Sequence, residues 1–322
     1  MLSTEMFIAW AQALGFAEVG FCLPDSFDRS RQIVVSQVSL SERKQLRFFP
    51  ANDLPQAKSI AVLLWPYLQA KLPDEGEMFV DSYYAASNAA YHAAQTLEKR
   101  VQEAGYFAKA NVAYPAKEAA LRAQMGVIGH NSLLITPSHG SRVVIILMAT
   151  SIDVSERQSD SSPKTCIKCG KCLKACPTEA IDEHGLSHPE RCLRNYMMEG
   201  IVVPEDMRSK IGMRLLGCDI CQRVCPMQNG KEQKAKHPYF LHEFLTEDNA
   251  VFSEAVSRLS EEIGRNVARP QRVRAQVSLL AGNSTDTAYL PVLRQWEKLP
   301  FDAVRQHAQW AIQQITLDRI AK

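Results

Sequence analysis

The chain has 322 residues, of which 46% are apolar and 22% charged, with a formal net charge of +2. That length suits two or three modules with a sizeable core, and the charge balance excludes an overall polycation or polyanion while leaving a local basic face open. Nine cysteines are present, eight of them between Cys166 and Cys225, with Cys22 alone outside. A disulfide scaffold is shorter and secreted, so this clustering points to metal ligands.

In chain order, Met1–Gly20 has neither a basic n-region nor a continuous apolar stretch, so no signal peptide is expected. Phe7–Leu14 reads as an amphipathic helix ending at Gly15, and Ala17–Cys22 as a strand with Cys22 a small buried hydrophobe at its end. Ser59–Trp65 reads as a buried strand, Ala85–Ala104 as a long helix stopped by Gly105, Pro115–Met125 as a helix and Arg142–Ala149 as a further buried strand. Alternating helix and strand signals argue for an α/β layered domain over 1–152. Asp153–Pro163, with four serines, reads as a linker, and the cysteine block follows over 153–235, closed by the Lys-rich Gly230–Lys236. The remainder, 236–322, reads as helical. Within it Val273–Ala281 aligns with Val304–Ile312 at an offset of 31 residues, which suits either a HEAT-like unit or an ordinary helical bundle. No apolar stretch reaches the roughly 20 residues that span a bilayer, so the expected setting is the reducing cytoplasm, without membrane contact.

The run Cys166-Ile-Lys-Cys169-Gly-Lys-Cys172-Leu-Lys-Ala-Cys176-Pro177 follows the bacterial ferredoxin spacing for 4Fe–4S clusters. A second set comprises Cys192, Cys218, Cys221 and Cys225-Pro226, its first cysteine displaced by 25 intervening residues. In such runs the fourth cysteine ligates the other cluster. By that rule Cys166, Cys169, Cys172 and Cys225 hold one cluster, and Cys176, Cys192, Cys218 and Cys221 hold a second. Two closed four-cysteine zinc sites are the competing reading, although this spacing is uncommon for zinc. Lys164, Lys168, Lys171 and Lys174 surround the first run, either as a docking rim for an acidic partner or nucleic acid, or as a solvated loop. No G-x-G-x-x-G follows a strand, so a nicotinamide fold has no support.

A ferredoxin module passes electrons on, and the N-terminal part carries a candidate acceptor site. Tyr114-Pro115-Ala-Lys117-Glu118 leads through Arg122 to Gly126-Val-Ile-Gly129-His130-Asn131-Ser132-Leu-Leu-Ile, with Gly140-Ser141 downstream. Glycines there allow close backbone approach to a flat ligand. Together with Gly217-Cys218-Asp-Ile-Cys221-Gln222-Arg-Val-Cys225-Pro226 and the tyrosine segment Asp81–Tyr84, this stretch resembles the epoxyqueuosine reductase family, over most of the chain. The glycine stretch is similar to that family's GWIGKN(T/S)LLI, and the cysteine stretch to its GC-x-x-CQ-x-x-CP.

The resemblance implies an α+β and α/β multi-domain fold with a cobalamin-binding domain, a double 4Fe–4S domain and a helical HEAT-like unit. It implies two 4Fe–4S clusters and cobalamin as cofactors, and reduction of epoxyqueuosine in tRNA to queuosine, or of a related substrate. The cofactor-binding residues it implies are Tyr84, Pro115, Lys117, Gly126, Gly129, His130, Asn131, Ser132, Gly140 and Ser141. The family's proton-donating Asp has no counterpart in Lys109–Pro115, which places this chain in a divergent branch. Tyr114, Lys117 and His130 are then the catalytic candidates, with Glu118 also in reach. Expected partners are an electron donor such as a ferredoxin or flavodoxin and tRNA, tracked by Arg265, Arg269, Arg272, Arg274 and Arg305, with a monomeric chain. The alternative is an electron-transfer or corrinoid-activating protein without its own small substrate.

Overall fold

The computed structural model describes residues 2–31, 47–154, 166–228, 231–234 and 237–321. Its strands are β1 (Glu18–Cys22), β2 (Ser59–Pro66), β3 (Gln69–Ala70), β4 (Phe79–Val80), β5 (Ala108–Ala110), β6 (Val127–Ile128), β7 (Leu134–Ile135), β8 (Val143–Thr150), β9 (Arg214–Leu216) and β10 (Glu232–Gln233). The chain divides into two compact units, one of Met1–Tyr67, Ala86–Cys169 and Pro226–Asn229, the other of Leu68–Ala85, Gly170–Cys225 and Gly230–Lys322.

The first unit is built on a sheet of order β1-β2-β8-β5. Every pairing in it is antiparallel, with Gly20 opposite Val62 and Val62 opposite Leu147. The central strands are unbroken apolar runs because both faces are covered, and Ile60 to Leu64 are fully buried. The Thr4–Ala13 helix starts where the Ser3 side chain accepts from the Met6 N–H at 3.2 Å, and buries Phe7 and Ala11. The long helix runs from Ser82 to Glu103, so it opens three residues before the expected Ala85, and Tyr83 and Tyr84 lie in its first turn. Cys22 ends β1 as a buried thiol, pushed up to about 12 by burial.

The second unit has a core shared by the cysteine block and the helical tail. Leu193, Met197, Ile211 and Leu215 pack in one cluster with Leu259, Val277, Leu293 and Val304. The cysteine block contributes Cys166 and Cys169 to the first unit and the remainder to the second. The expected linker lies outside the described residues from residue 155 onward, as do Gly230, Ala235 and Lys236 of the second expected boundary.

The tail consists of the Asn249–Ile263, Pro270–Ser284, Leu290–Trp296 and Asp302–Ala321 helices. The two segments related by the 31-residue offset sit on the second and fourth of these. Their contacts run in the same direction: the Ala275 carbonyl meets His307 Nδ1 at 2.9 Å, and a side chain on Gly282 would reach 2.5 Å from the Trp310 ring. His307 is 1% exposed and bonded on both ring nitrogens, Nδ1 donating to Ala275 and Nε2 accepting from the Val203 N–H at 2.9 Å.

That arrangement fixes the neutral tautomer, and burial pulls His307 down to about 4 from its ordinary 6.5. The unfolded chain then binds the extra proton between those values, so this stabilisation is complete above pH 6.5 and is lost as pH falls through 4. The loss amounts to about 3 kcal/mol. Urea midpoints measured at pH 7 and pH 4.5 should fall more steeply for the native chain than for His307→Gln, and equal slopes would refute the assignment.

Candidate functional site

Cys176, Cys192, Cys218 and Cys221 all lie in the second unit and converge. Burial pushes the Cys221 thiol far up, and Cys218, Cys192, Cys176 and Cys172 add to the rise. Burial likewise raises Cys218 to about 11, against the pull of the Ile220 N–H and of Arg214. Metal binding to such thiols would remove their protons. Among the described residues no three His, Cys, Asp or Glu side chains converge on the position of one ion.

Local structure sets these positions. The Lys171–Ala175 helix turns the chain into Cys176, whose Sγ accepts from the Ala180 N–H at 3.2 Å. Gly217 adopts φ +89°, and a Cβ there would lie 2.4 Å from Asp81 Cβ, so only glycine brings β9 into Cys218 beside that segment. The Ile220–Arg223 helix carries Cys221 and ends in a hub. Arg223 Nε meets Asp219 Oδ1 at 2.9 Å, Nη1 meets Glu232 Oε1 at 3.4 Å and Nη2 donates to the Ala70 carbonyl.

In the first unit, the β6–β7 hairpin carries the glycine stretch. Its loop is closed by Gly129 N–H to Leu133 O at 2.8 Å, and the His130 N–H points at Cys166 Sγ at 3.4 Å. The glycine loop therefore abuts a cysteine of the first run. A Cβ on Gly126 would lie 2.3 Å from the Ile135 carbonyl, and one on Gly129 2.5 Å from Ile135 Cδ1. Close packing of the hairpin on itself requires glycine at both positions. Asn131 is 5% exposed, its Oδ1 accepting from Leu133 N–H at 3.3 Å and its Nδ2 buried without a hydrogen-bond partner. An orphaned donor in this loop fits a ligand bearing polar acceptors, as cobalamin does. Lys117 donates from Nζ to the Ser132 carbonyl at 2.5 Å, pinning the loop to the Ala116–Arg122 helix, which Pro115 opens.

Gly140 and Ser141 contact the segment that follows the last cysteine. Gly140 at φ +59° sits against the Met227 carbonyl, and Gln228 Nε2 donates to Ser141 Oγ at 2.5 Å. Tyr84 belongs to the second unit, where Arg194 lies over its ring at 5.5 Å, and the other nine candidate cofactor residues belong to the first.

Of the proton-donor candidates, Glu118 is committed. Burial pushes its carboxyl up, but the Ser30 N–H at 2.8 Å and Arg122 at 2.5 Å outweigh this and hold it below the usual carboxylate range. Tyr114 is the informative one. It is 7% exposed, stacked on Phe27 at 6.0 Å, and its hydroxyl donates to Asp53 Oδ2 at 3.1 Å. Burial and the Asp53 carboxylate push Tyr114 up to about 12, against Arg47. Sequence reading missed Asp53, because 61 residues separate it from Tyr114 and no local spacing links them.

The expected basic features are partly corrected. Lys168, Lys171 and Lys174 are exposed, and Lys164 lies outside the described residues. Arg274 is packed inward over Phe252 at 4.0 Å, Arg272 faces Glu199 at 3.8 Å and Arg305 pairs with Asp302 at 2.5 Å, leaving Arg265 and Arg269 exposed. Arg274 is thus a core-facing residue and cannot track phosphates. A separate groove of about 960 Å³ follows the outer edge of β1, lined by Glu18–Leu23 and Arg122–Met125, and includes none of the candidate site residues.

A double-cluster iron–sulfur fold with a mixed helix and strand partner unit is the class these features define. The 4Fe-4S double cluster binding domain family matches residues 165–228. The chain is 26% identical to the epoxyqueuosine reductase of Bacillus subtilis (strain 168), covering 97% of this chain and 87% of that one. It is 28% identical to the Lactococcus garvieae (strain Lg2) epoxyqueuosine reductase, covering 95% and 94%. A crystal structure of epoxyqueuosine reductase with an epoxyqueuosine-modified tRNA-Tyr stem loop superposes with a TM-score of 0.80 at 25% identity, covering 97% of this chain and 89% of that one. Over nearly its whole length the chain is thus similar to epoxyqueuosine reductases.

Proposed function

We propose that this chain is an iron–sulfur oxidoreductase that reduces epoxyqueuosine in tRNA to queuosine. The observation that carries this reading is the similarity over nearly the whole length, helical tail included, to reductases of that name. The electron-transfer alternative is set aside for the same reason, since a bare electron carrier has no need of the tail. The overall change removes the epoxide oxygen as water, taking up two electrons and two protons. Two 4Fe–4S clusters on the eight cysteines carry the electrons. Cobalamin, when bound, supplies the low-potential reductant at the substrate.

Pro115, Lys117, Gly126, Gly129, His130, Asn131 and Ser132 are the residues proposed to hold that cofactor, with Asn131 Nδ2 as a polar contact. Tyr84, Gly140 and Ser141 complete the proposed set. Tyr114 is proposed as the proton donor in place of the missing Asp, with Asp53 beside it to relay a solvent proton back to the phenolate, and Lys117 and His130 as loop-positioning groups. Functionally the chain then reads as a cobalamin-binding part, a ferredoxin-like double-cluster part and a HEAT-like tail that meets tRNA. A reduced ferredoxin or flavodoxin is the proposed donor to a monomer in the cytoplasm. No helix among the described residues is long and apolar enough to cross a membrane.

Anaerobic purification should yield about eight irons per chain, four per cluster, and Cys221→Ala about four. Cobalamin added to the reconstituted protein should give a base-off spectrum. Queuosine should disappear from tRNA of a deletion strain and return with the intact gene. Unchanged queuosine in the deletion strain would overturn the substrate.

A further inference from the structure

Two arginines beside the second cysteine set lack an acid to pair with. Arg214 ends in a guanidinium whose Nη1 donates to the Ile211 carbonyl at 3.4 Å and which lies 5.9 Å from the Phe79 ring. Its Nε is buried with no hydrogen-bond partner. Arg194 follows Cys192 by two residues, on the turn Leu193–Asn195, and lies over the Tyr83 ring at 4.8 Å and the Tyr84 ring at 5.5 Å. Neither makes an ion pair with a carboxylate among the described residues. Arg223, close by, differs: Asp219 and Glu232 neutralise it.

A buried cationic N–H without an acceptor is costly, so its partner should be a group the polypeptide does not supply. Arg214 lies on β9, four residues before Cys218, and the Phe79 ring it approaches is also met at 5.5 Å by Arg223, on the helix that carries Cys221. Arg194 lies over the Tyr84 ring, which a Cβ on Gly217, next to Cys218, would approach to 3.0 Å. A 4Fe–4S cluster with four thiolates is net negative and gains a further negative charge on reduction, and its sulfurs accept N–H groups. Net charge and hydrogen bonds to sulfur are what set its potential. A fixed cation stabilises the reduced form more than the oxidised one.

We propose that Arg214, assisted by Arg194, is the counter-charge that raises the reduction potential of the cluster held by Cys176, Cys192, Cys218 and Cys221. The inference rests on the double-cluster reading above. Arg214 is the stronger of the two, because its guanidinium is partly buried, while Arg194 is exposed and screened by solvent.

The test is a potentiometric titration of the anaerobic holoprotein followed by electron paramagnetic resonance. Arg214→Gln should weaken the electron affinity of one cluster about tenfold, about 59 mV more negative for a one-electron couple, with the other cluster unmoved. Arg194→Gln should shift the same cluster in the same direction by less, and Arg214→Lys should restore most of the potential. Unchanged midpoints in Arg214→Gln and Arg194→Gln, with iron content at the native level, would overturn the inference. Should Arg214→Gln fail to retain iron, Arg194→Gln decides alone. A native protein with fewer than about eight irons would count against the double-cluster reading itself, and not against the arginine assignment within it.

Discussion

Tyr114→Phe should lower single-turnover reduction of an epoxyqueuosine-bearing stem loop by about 10²–10⁴-fold, the usual worth of a positioned proton donor. The substitution keeps the ring that stacks on Phe27 at 6.0 Å, so packing is retained and only the hydroxyl is lost. The net stability change should be about 1 kcal/mol, that of one hydrogen bond. Because the hydroxyl is held near 12, it keeps its proton throughout the physiological range and can give it to an oxygen that becomes strongly basic as the epoxide opens. On the proposed assignment, Asp53, accepting from Tyr114 at 3.1 Å, would relay a solvent proton back to the phenolate. Asp53→Asn should therefore slow turnover in the same direction, and combining it with Tyr114→Phe should add little, as for groups acting as one unit. Cobalamin affinity and iron content should stay at the native values in all three proteins. A Tyr114→Phe rate within threefold of the native one would remove Tyr114 from the proton path.

The parts of this architecture that were legible in the sequence are those written in local patterns. The apolar runs of β2 and β8 announce strands covered on both faces, and the cysteine spacings announce the clusters. The amphipathic repeat at a 31-residue offset announces two helices that meet in the tail. What was not legible depends on distant pairings. The Leu68–Ala85 segment carries no local sign that it belongs with the cysteine block, yet β4 pairs in parallel with β9, with Phe79 opposite Arg214. Arg274 looks like a solvent-facing cation from helical periodicity alone. Its stem and guanidinium instead cover Phe252 and Trp296, and burial pulls it below its ordinary value. The glycine stretch was legible as a special backbone, but the carbonyl that excludes a side chain at Gly126 was not, because it comes from Ile135 across the hairpin.

Arg223 shows how one side chain can hold the second cysteine set together. It is 15% exposed and its partner Asp219 1% exposed. Asp219 lies between Cys218 and Cys221, Glu232 lies on β10, and the Ala70 carbonyl is on β3, which pairs in parallel with β10. Arg223 also lies 5.5 Å from the Phe79 ring on β4. Truncation to alanine leaves a buried carboxylate without its cation, and the cost of breaking such a pair is about 3–5 kcal/mol. The expected result for Arg223→Ala is a large drop in the urea midpoint together with loss of about four irons, since the turn bearing Cys218 and Cys221 is no longer anchored. Removing both charges should hurt less than removing one, so Arg223→Met combined with Asp219→Leu should be more stable than Arg223→Ala. Arg223→Lys should fall between, because one ammonium cannot reach Asp219, Glu232 and the Ala70 carbonyl at once as the planar guanidinium does. An Arg223→Ala protein with the native midpoint and full iron would mean that the cysteine turn is held by the cluster itself and by the Gly217 packing, and that the hub only follows it.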